Sequence, residues 1–221
     1  MLFEIDAGEH DDEPEELWAL ADVLNVACGG HAGDSASMAR VTAFCATRAR
    51  PRIGAHPSYP DREAFGRRSL AIAEAALVAT VAEQCGALAR IAGEVRWIKP
   101  HGALYHDAAT RPELARAVVR GAIDALGSSI TVIGPPAGAL RDAAIAAGLP
   151  YSREGFADRG LRDDGSLVPR GEPGALVTDP ARAAAQARSL AASGTIDALC
   201  VHADTPGALA IARAVREALG A

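Results

Sequence analysis

The sequence predicts an irregular TIM-like (β/α)7 barrel. Short apolar stretches alternate with alanine-rich helical stretches along all 221 residues, a pattern typical of parallel α/β folds. No linker or low-complexity segment interrupts this alternation, so residues 1–221 are expected to form a single domain. Four of the six histidines directly follow strand candidates. In a parallel barrel those strand ends open onto one face, where active sites lie.

Seven stretches have the length and composition of buried parallel strands. They are Leu2–Asp6, Val23–Cys28, Arg52–Ala55, Val95–Lys99, Ile130–Gly134, Tyr151–Glu154 and Ala198–His202. Seven repeats favour a closed barrel, although the alternation alone also allows an open doubly wound sheet. No GxGxxG motif follows the first strand, which disfavours a dinucleotide-binding fold.

The helical stretches between these strands have recognisable starts. Asp34 can cap a helix over Ala36–Arg50, and Ile72–Gly93 has apolar residues at helical spacing. Later helices are predicted to begin near Pro112, Pro180 and Pro206. The segment Gly155–Ala175 breaks the alternation and is predicted to form a hairpin or a lid over the barrel mouth.

Composition excludes several classes of partner. The net charge is −6 and the sequence has no basic stripe, so nucleic acid is not expected as a partner. We expect no membrane association, because the first residues lack the pattern of a signal peptide and no apolar run reaches the ~18 residues of a membrane span. The four cysteines show no CxxC spacing and are interpreted as reduced, buried thiols of a cytoplasmic protein.

Polar residues at the strand ends are the catalytic candidates. Asp6 ends the first strand and Glu9 follows it, a place where carboxylates act as general bases or metal ligands. Lys99 closes an apolar strand, which is costly unless the lysine meets an anion, so it is expected to bind a carboxylate or stabilise an oxyanion. Glu154 ends the sixth strand and is expected to face the pocket. Four histidines follow other strands: His31, His56, His101 and His202.

Arginines and carboxylates in the loops are candidates for substrate binding, because guanidinium groups suit carboxylate or phosphate recognition. The candidates are Arg68, Asp158, Arg159, Arg170 and Asp204. Asp204 is also expected to orient His202 or a neighbouring histidine. His10 and His106 are placed in polar loops and are not assigned to the site.

A divalent metal is a separate hypothesis. Asp6, His31, His56 and His101 together offer donor atoms that suit zinc or manganese. However, no HxH or HExxH spacing supports such a site, and the question stays open at this point.

Several ordered motifs carry a family resemblance. They are Asn25-Val-Ala-Cys-Gly29, His31-Ala-Gly-Asp34, Gly54-Ala-His-Pro-Ser-Tyr-Pro-Asp61, Phe65-Gly-Arg-Arg68, Lys99-Pro-His-Gly-Ala-Leu-Tyr105, Glu154-Gly-Phe-Ala-Asp-Arg159, Val168-Pro-Arg170 and Cys200-Val-His202 with Asp204-Thr-Pro206. Together they resemble the LamB/YcsF family. The resemblance implies a glycoside hydrolase/deacetylase-like barrel. It also implies the role of the A component of a 5-oxoprolinase, which hydrolyses 5-oxoproline to L-glutamate with ATP and with B and C partner subunits.

The resemblance also implies a division of roles. ATP phosphorylates the lactam oxygen, and water then attacks with Asp6 or Glu9 as base. His31, His56 or His101 moves protons, while Lys99 and Arg159 hold carboxylate or phosphoryl oxygens. No P-loop is present, so ATP is expected to act through the complex.

The chain differs from the family pattern near its start. Leu2 and Glu4 stand where the family has Asp and Asn, and acidic residues follow at His10–Glu13. Two alternatives therefore stay open. One is a metal-dependent deacetylase or amidohydrolase acting on another lactam or amide, and the other is a non-catalytic subunit that binds a small molecule.

Overall fold

Seven parallel strands close into a barrel in chain order. The structure is a computed structural model that describes residues 1–162 and 164–220, so Asp163 in the predicted hairpin and Ala221 at the domain end lie outside it. The strands are β1 (Leu2–Ala7), β2 (Val23–Ala27), β3 (Arg52–His56), β4 (Trp97–Ile98), β5 (Thr131–Gly134), β6 (Tyr151–Phe156) and β7 (Ala198–His202). Because β7 pairs with β1, the sheet has no edge. The predicted TIM-like barrel is confirmed and the open sheet is excluded.

Helices connect the strands around the outside of the barrel. Within the described residues they are α1 (Glu15–Trp18), α2 (Ser35–Ala46), α3 (Glu74–Ala92), α4 (Gly102–Thr110), α5 (Pro112–Leu126), α6 (Ala139–Ala146), α7 (Pro180–Ser193) and α8 (Ala208–Ala218). Asp34 caps α2 as predicted, since its side chain accepts hydrogen bonds from the backbone N–H groups of Ala36 and Ser37. The predicted start of α8 near Pro206 shifts to Ala208, because Gly207 takes a left-handed conformation before it.

The core joins the barrel interior to the layer between strands and helices. Phe3, Ile5 and Leu24 are fully buried strand residues. Helix α3 is long and apolar enough to span a membrane by length and composition alone. In this fold its Leu77 and Val81 side chains are buried in the core, so α3 is a packing helix of the barrel layer.

Strand register places the first catalytic candidates at one level of the barrel. Asp6 of β1 is in register with Asn25 of β2 on one side and with His202 of β7 on the other. His56 is in register with Ala27, further along β2. The carboxyl ends of these strands therefore bring together residues that are up to about 200 positions apart in the chain.

The segment after β6 forms short antiparallel pairings over the barrel mouth. Arg159 bridges to Leu176, and Leu161 bridges to Leu167. These pairings agree with the predicted hairpin, and the hairpin forms one wall of the cavity described next.

Candidate active site

A cavity of about 430 Å³ opens at the carboxyl ends of the strands. This size suits a small metabolite. Seven predicted site residues line it: Asp6, His56, Lys99, His101, Arg159, Arg170 and His202. Glu9, His31 and Glu154 lie directly behind this lining, in contact with it. The cavity therefore has a lining and a supporting layer, a division that strand order alone did not predict.

Lys99 is the buried centre of the site. Its Nζ lies 2.8 Å from Asp6 Oδ1, 2.7 Å from Glu154 Oε1 and 3.1 Å from the Cys200 Sγ. Although burial opposes the charged form, the neighbouring Asp6 and other anionic groups hold the pKa of Lys99 well above its usual range. The expected anion partner of this lysine is thus supplied by the protein itself.

Asp6 is ionised by its neighbours. Burial opposes this, but His56 and Lys99 hold the pKa of Asp6 well below its usual range. Asp6 Oδ1 also accepts a hydrogen bond of 3.1 Å from the Asn25 amide, while Oδ2 lies 3.3 Å from His56 Nε2. Asp6 is therefore a fixed anion on the cavity wall.

A second pair of carboxylates lies beneath Lys99. Glu4, which we did not assign to the site from the sequence, is completely buried and accepts a 2.6 Å hydrogen bond from Asn25. Burial and the nearby Glu154 raise the pKa of Glu4 well above its usual range. Neither Glu154 oxygen has a hydrogen-bonding partner within residues 1–162 and 164–220. Its contact with Lys99 is close enough for an ion pair but not aligned as a hydrogen bond.

Three histidines and Glu9 form a compact cluster. Glu9 Oε1 lies 2.9 Å from His31 Nε2 and 3.2 Å from His101 Nδ1. The rings of His31 and His101 stack with centroids 3.6 Å apart. Burial lowers the pKa of His31 to about 3 and also lowers that of His101, so both imidazoles are neutral at physiological pH.

A glycine in the loop after β3 makes this crowding possible. A Cβ at Gly66 would lie 2.8 Å from the Cβ of His31 and 3.2 Å from Cδ2 of His101. The φ angle of Gly66 is +64°, a region that glycine occupies without strain. The preceding Phe65 also has a positive φ of 54° and directs its carbonyl oxygen to His101 Nε2 at 3.0 Å. Gly29 and Gly33 shape the turn after β2 with positive φ angles.

His202 is oriented by Asp158, which corrects the expectation that Asp204 orients it. Asp158 Oδ1 lies 3.0 Å from His202 Nδ1, and Asp158 also accepts the His202 backbone N–H. Asp158 follows β6, the neighbour of β7, so its carboxylate reaches the ring directly. Burial opposes protonation, but the charge of Asp158 raises the pKa of His202. The Nε2 atom of His202 lies 3.9 Å from Asp6 Oδ2.

Asp204 instead joins two arginines at the cavity mouth. It contacts Arg67 of the loop after β3 and lies 2.9 Å from Nη1 of Arg170 in the hairpin. Both arginines and the nearby Arg159 line the cavity. Burial and the neighbouring charge of Arg170 lower the pKa of Arg159, which marks this mouth as electropositive.

Several expectations on individual residues need correction. Arg68 lies outside the cavity with a largely exposed side chain and pairs with Asp61, and the adjacent Arg67 occupies the cavity wall. His106 was expected in a polar loop, but it lies on α4 and lines the cavity beside Tyr105. A helix prediction for residues 102–110 would have placed Tyr105 and His106 close to His101, because this helix begins at the residue after it.

The cysteines next to the histidine motifs are unreactive fillers, as expected. Cys28 and Cys200 are free and buried. Burial raises the pKa of the Cys28 thiol to about 12 and that of Cys200 well above its usual range. A thiol that keeps its proton is a poor nucleophile.

Two groups of donor atoms in the site have the spacing of metal ligands. One contains Glu9, His31, His56 and His101, and the other contains Asp6, Cys200 and His202. In the second group Lys99 already supplies a cation to Asp6 and Cys200. The first group is therefore the better candidate for a metal ion.

Comparison with known proteins agrees with this architecture. The model of the LamB/YcsF family matches residues 6–221. The chain belongs to the LamB/YcsF family. It is 45% identical to the 5-oxoprolinase A subunit of Streptomyces avermitilis over 225 residues, covering 95% of this chain and 89% of the relative. It is 42% identical to the 5-oxoprolinase A subunit of Methylococcus capsulatus, covering 95% of this chain and 86% of that relative.

A solved structure has the same fold. The lactam utilization protein from Thermus thermophilus is 32% identical, with a TM-score of 0.89, and the match covers 100% of this chain and 96% of that chain. The predicted membership of the family is thus confirmed by sequence, and the predicted fold is confirmed by structure.

Proposed function

We propose that this chain is the A component of an ATP-dependent 5-oxoprolinase, which hydrolyses 5-oxoproline to L-glutamate together with its B and C partner subunits. The relatives named as 5-oxoprolinase components support this. The observation that carries the proposal is that one small cavity holds both an ionised carboxylate and a histidine whose pKa is raised. Asp6 is held as an anion by His56 and Lys99, and His202 has a pKa raised by Asp158.

These groups suit hydrolysis of a lactam. The water oxygen forms a bond to the carbonyl carbon, the ring C–N bond breaks, and the ring nitrogen takes a proton. Asp6, an anion on the cavity wall, orients the water and receives its proton. The charge of Asp158 raises the pKa of His202 and so favours the protonated form that a general acid needs; His202 donates the proton to the departing nitrogen.

The cavity mouth suits the anionic part of the substrate. Arg159 and Arg170 line it together with Arg67, and guanidinium groups form paired hydrogen bonds with carboxylate or phosphoryl oxygens. Lys99 already binds two carboxylates, so we assign substrate anion binding to the arginines. Lys99 acts by fixing the charge of Asp6.

ATP enters this proposal through the complex. An unactivated five-membered lactam is a poor electrophile. ATP transfers its terminal phosphoryl group to the lactam oxygen and leaves as ADP. Water then adds to the activated carbon, the ring C–N bond breaks, and a second water releases inorganic phosphate from the acyl phosphate to leave L-glutamate. The sequence contains no GxxxxGK[ST] loop, so we assign nucleotide binding to the assembled subunits. We further propose a cytoplasmic location, in keeping with four free, buried cysteines.

The second candidate is a metal-dependent amidohydrolase that acts without ATP on another lactam or amide. The cluster of Glu9, His31, His56 and His101 favours it, because imidazole and carboxylate ligands are typical of catalytic zinc sites. ATP-independent turnover by the metal-loaded chain would separate this candidate from the first.

The proposed function predicts a specific effect of Asp6→Asn. In the reconstituted complex with ATP, glutamate release from 5-oxoproline should fall by at least about 100-fold, the scale of a lost acid–base group. A matched control is Asp124→Asn, which removes a carboxylate paired with Arg120 on the surface of α5. The control should retain wild-type rates. Equal rates for wild type and Asp6→Asn would refute the role of this cavity in the reaction.

A further inference from the structure

Two histidine nitrogens in the site, His56 Nε2 and His101 Nδ1, face each other at close range. The Nδ1 atom of His56 lies 2.7 Å from the backbone carbonyl oxygen of Lys99, and His101 Nε2 lies 3.0 Å from that of Phe65. A carbonyl oxygen only accepts hydrogen bonds, so both of these ring nitrogens must carry their hydrogen. The remaining nitrogens, His56 Nε2 and His101 Nδ1, have no carbonyl partner and point towards each other. They lie 3.0 Å apart.

Two carboxylates add further lone pairs at the same point. Glu9 Oε1 is 3.2 Å from His101 Nδ1, and Asp6 Oδ2 is 3.3 Å from His56 Nε2. Glu9 Oε1 is also 2.9 Å from His31 Nε2. All of these side chains are almost fully buried. Buried carboxylates and imidazole nitrogens that converge on one point are stabilised by a cation that lies among them.

The spacing of the four donor atoms fits a first-row metal. A tetrahedral site with Zn–N distances of about 2.0–2.1 Å has ligand atoms about 3.3 Å apart. Glu9 Oε1 lies 2.9, 3.2 and 3.8 Å from the nearest nitrogens of His31, His101 and His56. All four donor atoms lie within 4.8 Å of one another. The set of three imidazoles and one carboxylate suits zinc and its neighbours in the first row over magnesium or calcium, which prefer oxygen.

The atoms behind two of the three histidine ligands are also those of a metal site. Ring nitrogens that do not bind the metal are usually held by a carbonyl or carboxylate, which fixes the tautomer. The carbonyls of Lys99 and Phe65 have this role for His56 and His101. Phe65 adopts a left-handed backbone conformation to present its carbonyl. Local strain of this kind is typical of functional sites.

We propose that Glu9, His31, His56 and His101 bind one divalent first-row metal ion, with zinc as the best match. Its catalytic meaning rests on the proposed function, since the ion would lie beside Asp6 at the cavity wall. When bound, such an ion supplies Lewis-acid polarisation of the scissile carbonyl. Glu9 then belongs to the metal site, and Asp6 remains the carboxylate that faces the substrate.

Metal binding is measurable without any turnover. The full chain is purified, stripped with a chelator and titrated with ZnCl₂ by calorimetry, and Co²⁺ is added to a second sample to record its visible absorption. We expect one Zn²⁺ per chain and Co²⁺ bands of a low-coordinate nitrogen site. Glu9→Gln and His101→Asn should each weaken Zn²⁺ binding by at least about 10-fold. His106→Asn, which alters a histidine of the same cavity outside the ligand set, should bind like wild type.

Other results would overturn the proposal. The proposal is wrong if the wild-type chain binds less than one Zn²⁺. It is also wrong if wild type and folded Glu9→Gln bind Zn²⁺ with equal affinity. If a ligand variant fails to fold by circular dichroism, the Co²⁺ spectrum and stoichiometry of wild type decide the matter. Nitrogen NMR shifts showing a protonated His56–His101 pair in metal-saturated buffer would show that a proton fills the gap instead. None of these measurements depends on 5-oxoprolinase activity. The metal-site proposal and the proposed function can therefore be refuted independently.

Discussion

Asp158 determines both the orientation and the charge of His202. It binds the ring nitrogen, the backbone N–H of His202 and the hydroxyl of Thr205. Its own pKa is lowered, despite burial, chiefly by His202. Each member of this pair therefore stabilises the charged form of the other.

The pair makes stability depend on pH. The folded-state pKa of His202 is raised above its unfolded value of about 6.5. Its contribution is thus fully present below about pH 6.5 and is lost as pH rises through the folded-state pKa. The contribution of Asp158, whose pKa is lowered, is present above its unfolded pKa of about 3.9 and lost as pH falls through the folded value.

Asp158→Asn should therefore destabilise the protein most between about pH 4 and 6.5. Removing one partner of a buried charged pair costs about 3–5 kcal/mol. Melting temperatures measured from about pH 5 to about pH 9 should show a gap to wild type that narrows as pH rises. Asp197→Asn, which removes a partly exposed carboxylate paired with Arg153, should show a small and flat gap. A gap for Asp158→Asn that is independent of pH would contradict the charged pair.

The sequence identified residues at strand ends better than residues inside strands. Asp6, His56, Lys99 and His202 were assigned to the site because each closes or follows a strand, and the structure brings them together. Glu4 was missed because it lies in the middle of β1, where polarity gives no positional signal. Which of two adjacent arginines faces the cavity depends on the path of the loop after β3, which the sequence did not specify.

Among the secondary-structure elements, the hairpin after β6 closes one side of the cavity. Arg170 of the hairpin and Arg67 of the loop after β3 meet on Asp204, which follows β7. Three loops that are remote in sequence are thus joined by one carboxylate. The sequence predicted the hairpin from its break in the alternation, but the joining contact depends on tertiary structure.

Removing this contact should loosen the hairpin. Asp204→Asn is expected to speed tryptic cleavage after Arg162 and Arg170 by about 2- to 5-fold, since partly exposed ion pairs contribute up to about 1 kcal/mol each. Asp197→Asn is the matched control and should cleave like wild type. Unchanged cleavage in Asp204→Asn would show that the hairpin is held by its backbone pairings alone.

The barrel as a whole concentrates opposite charges in a buried centre. Lys99, Asp6 and Glu154 are each at most 2% exposed. Burial of such groups costs free energy, and buried charges of this kind are concentrated at functional sites. The alternation of strands and helices favoured a barrel over an open sheet, whereas the closure of β1 with β7 was visible only in the structure.

The central claim of the proposed function is that the chain needs its B and C partner subunits to release glutamate from 5-oxoproline. It is tested by glutamate release from 5-oxoproline, measured for the purified chain alone and for its complex with the B and C partners, each with and without ATP. We expect negligible release by the chain alone and ATP-coupled release by the complex. ATP-independent ring opening by the purified chain would instead refute the proposed function and favour the metal-dependent amidohydrolase.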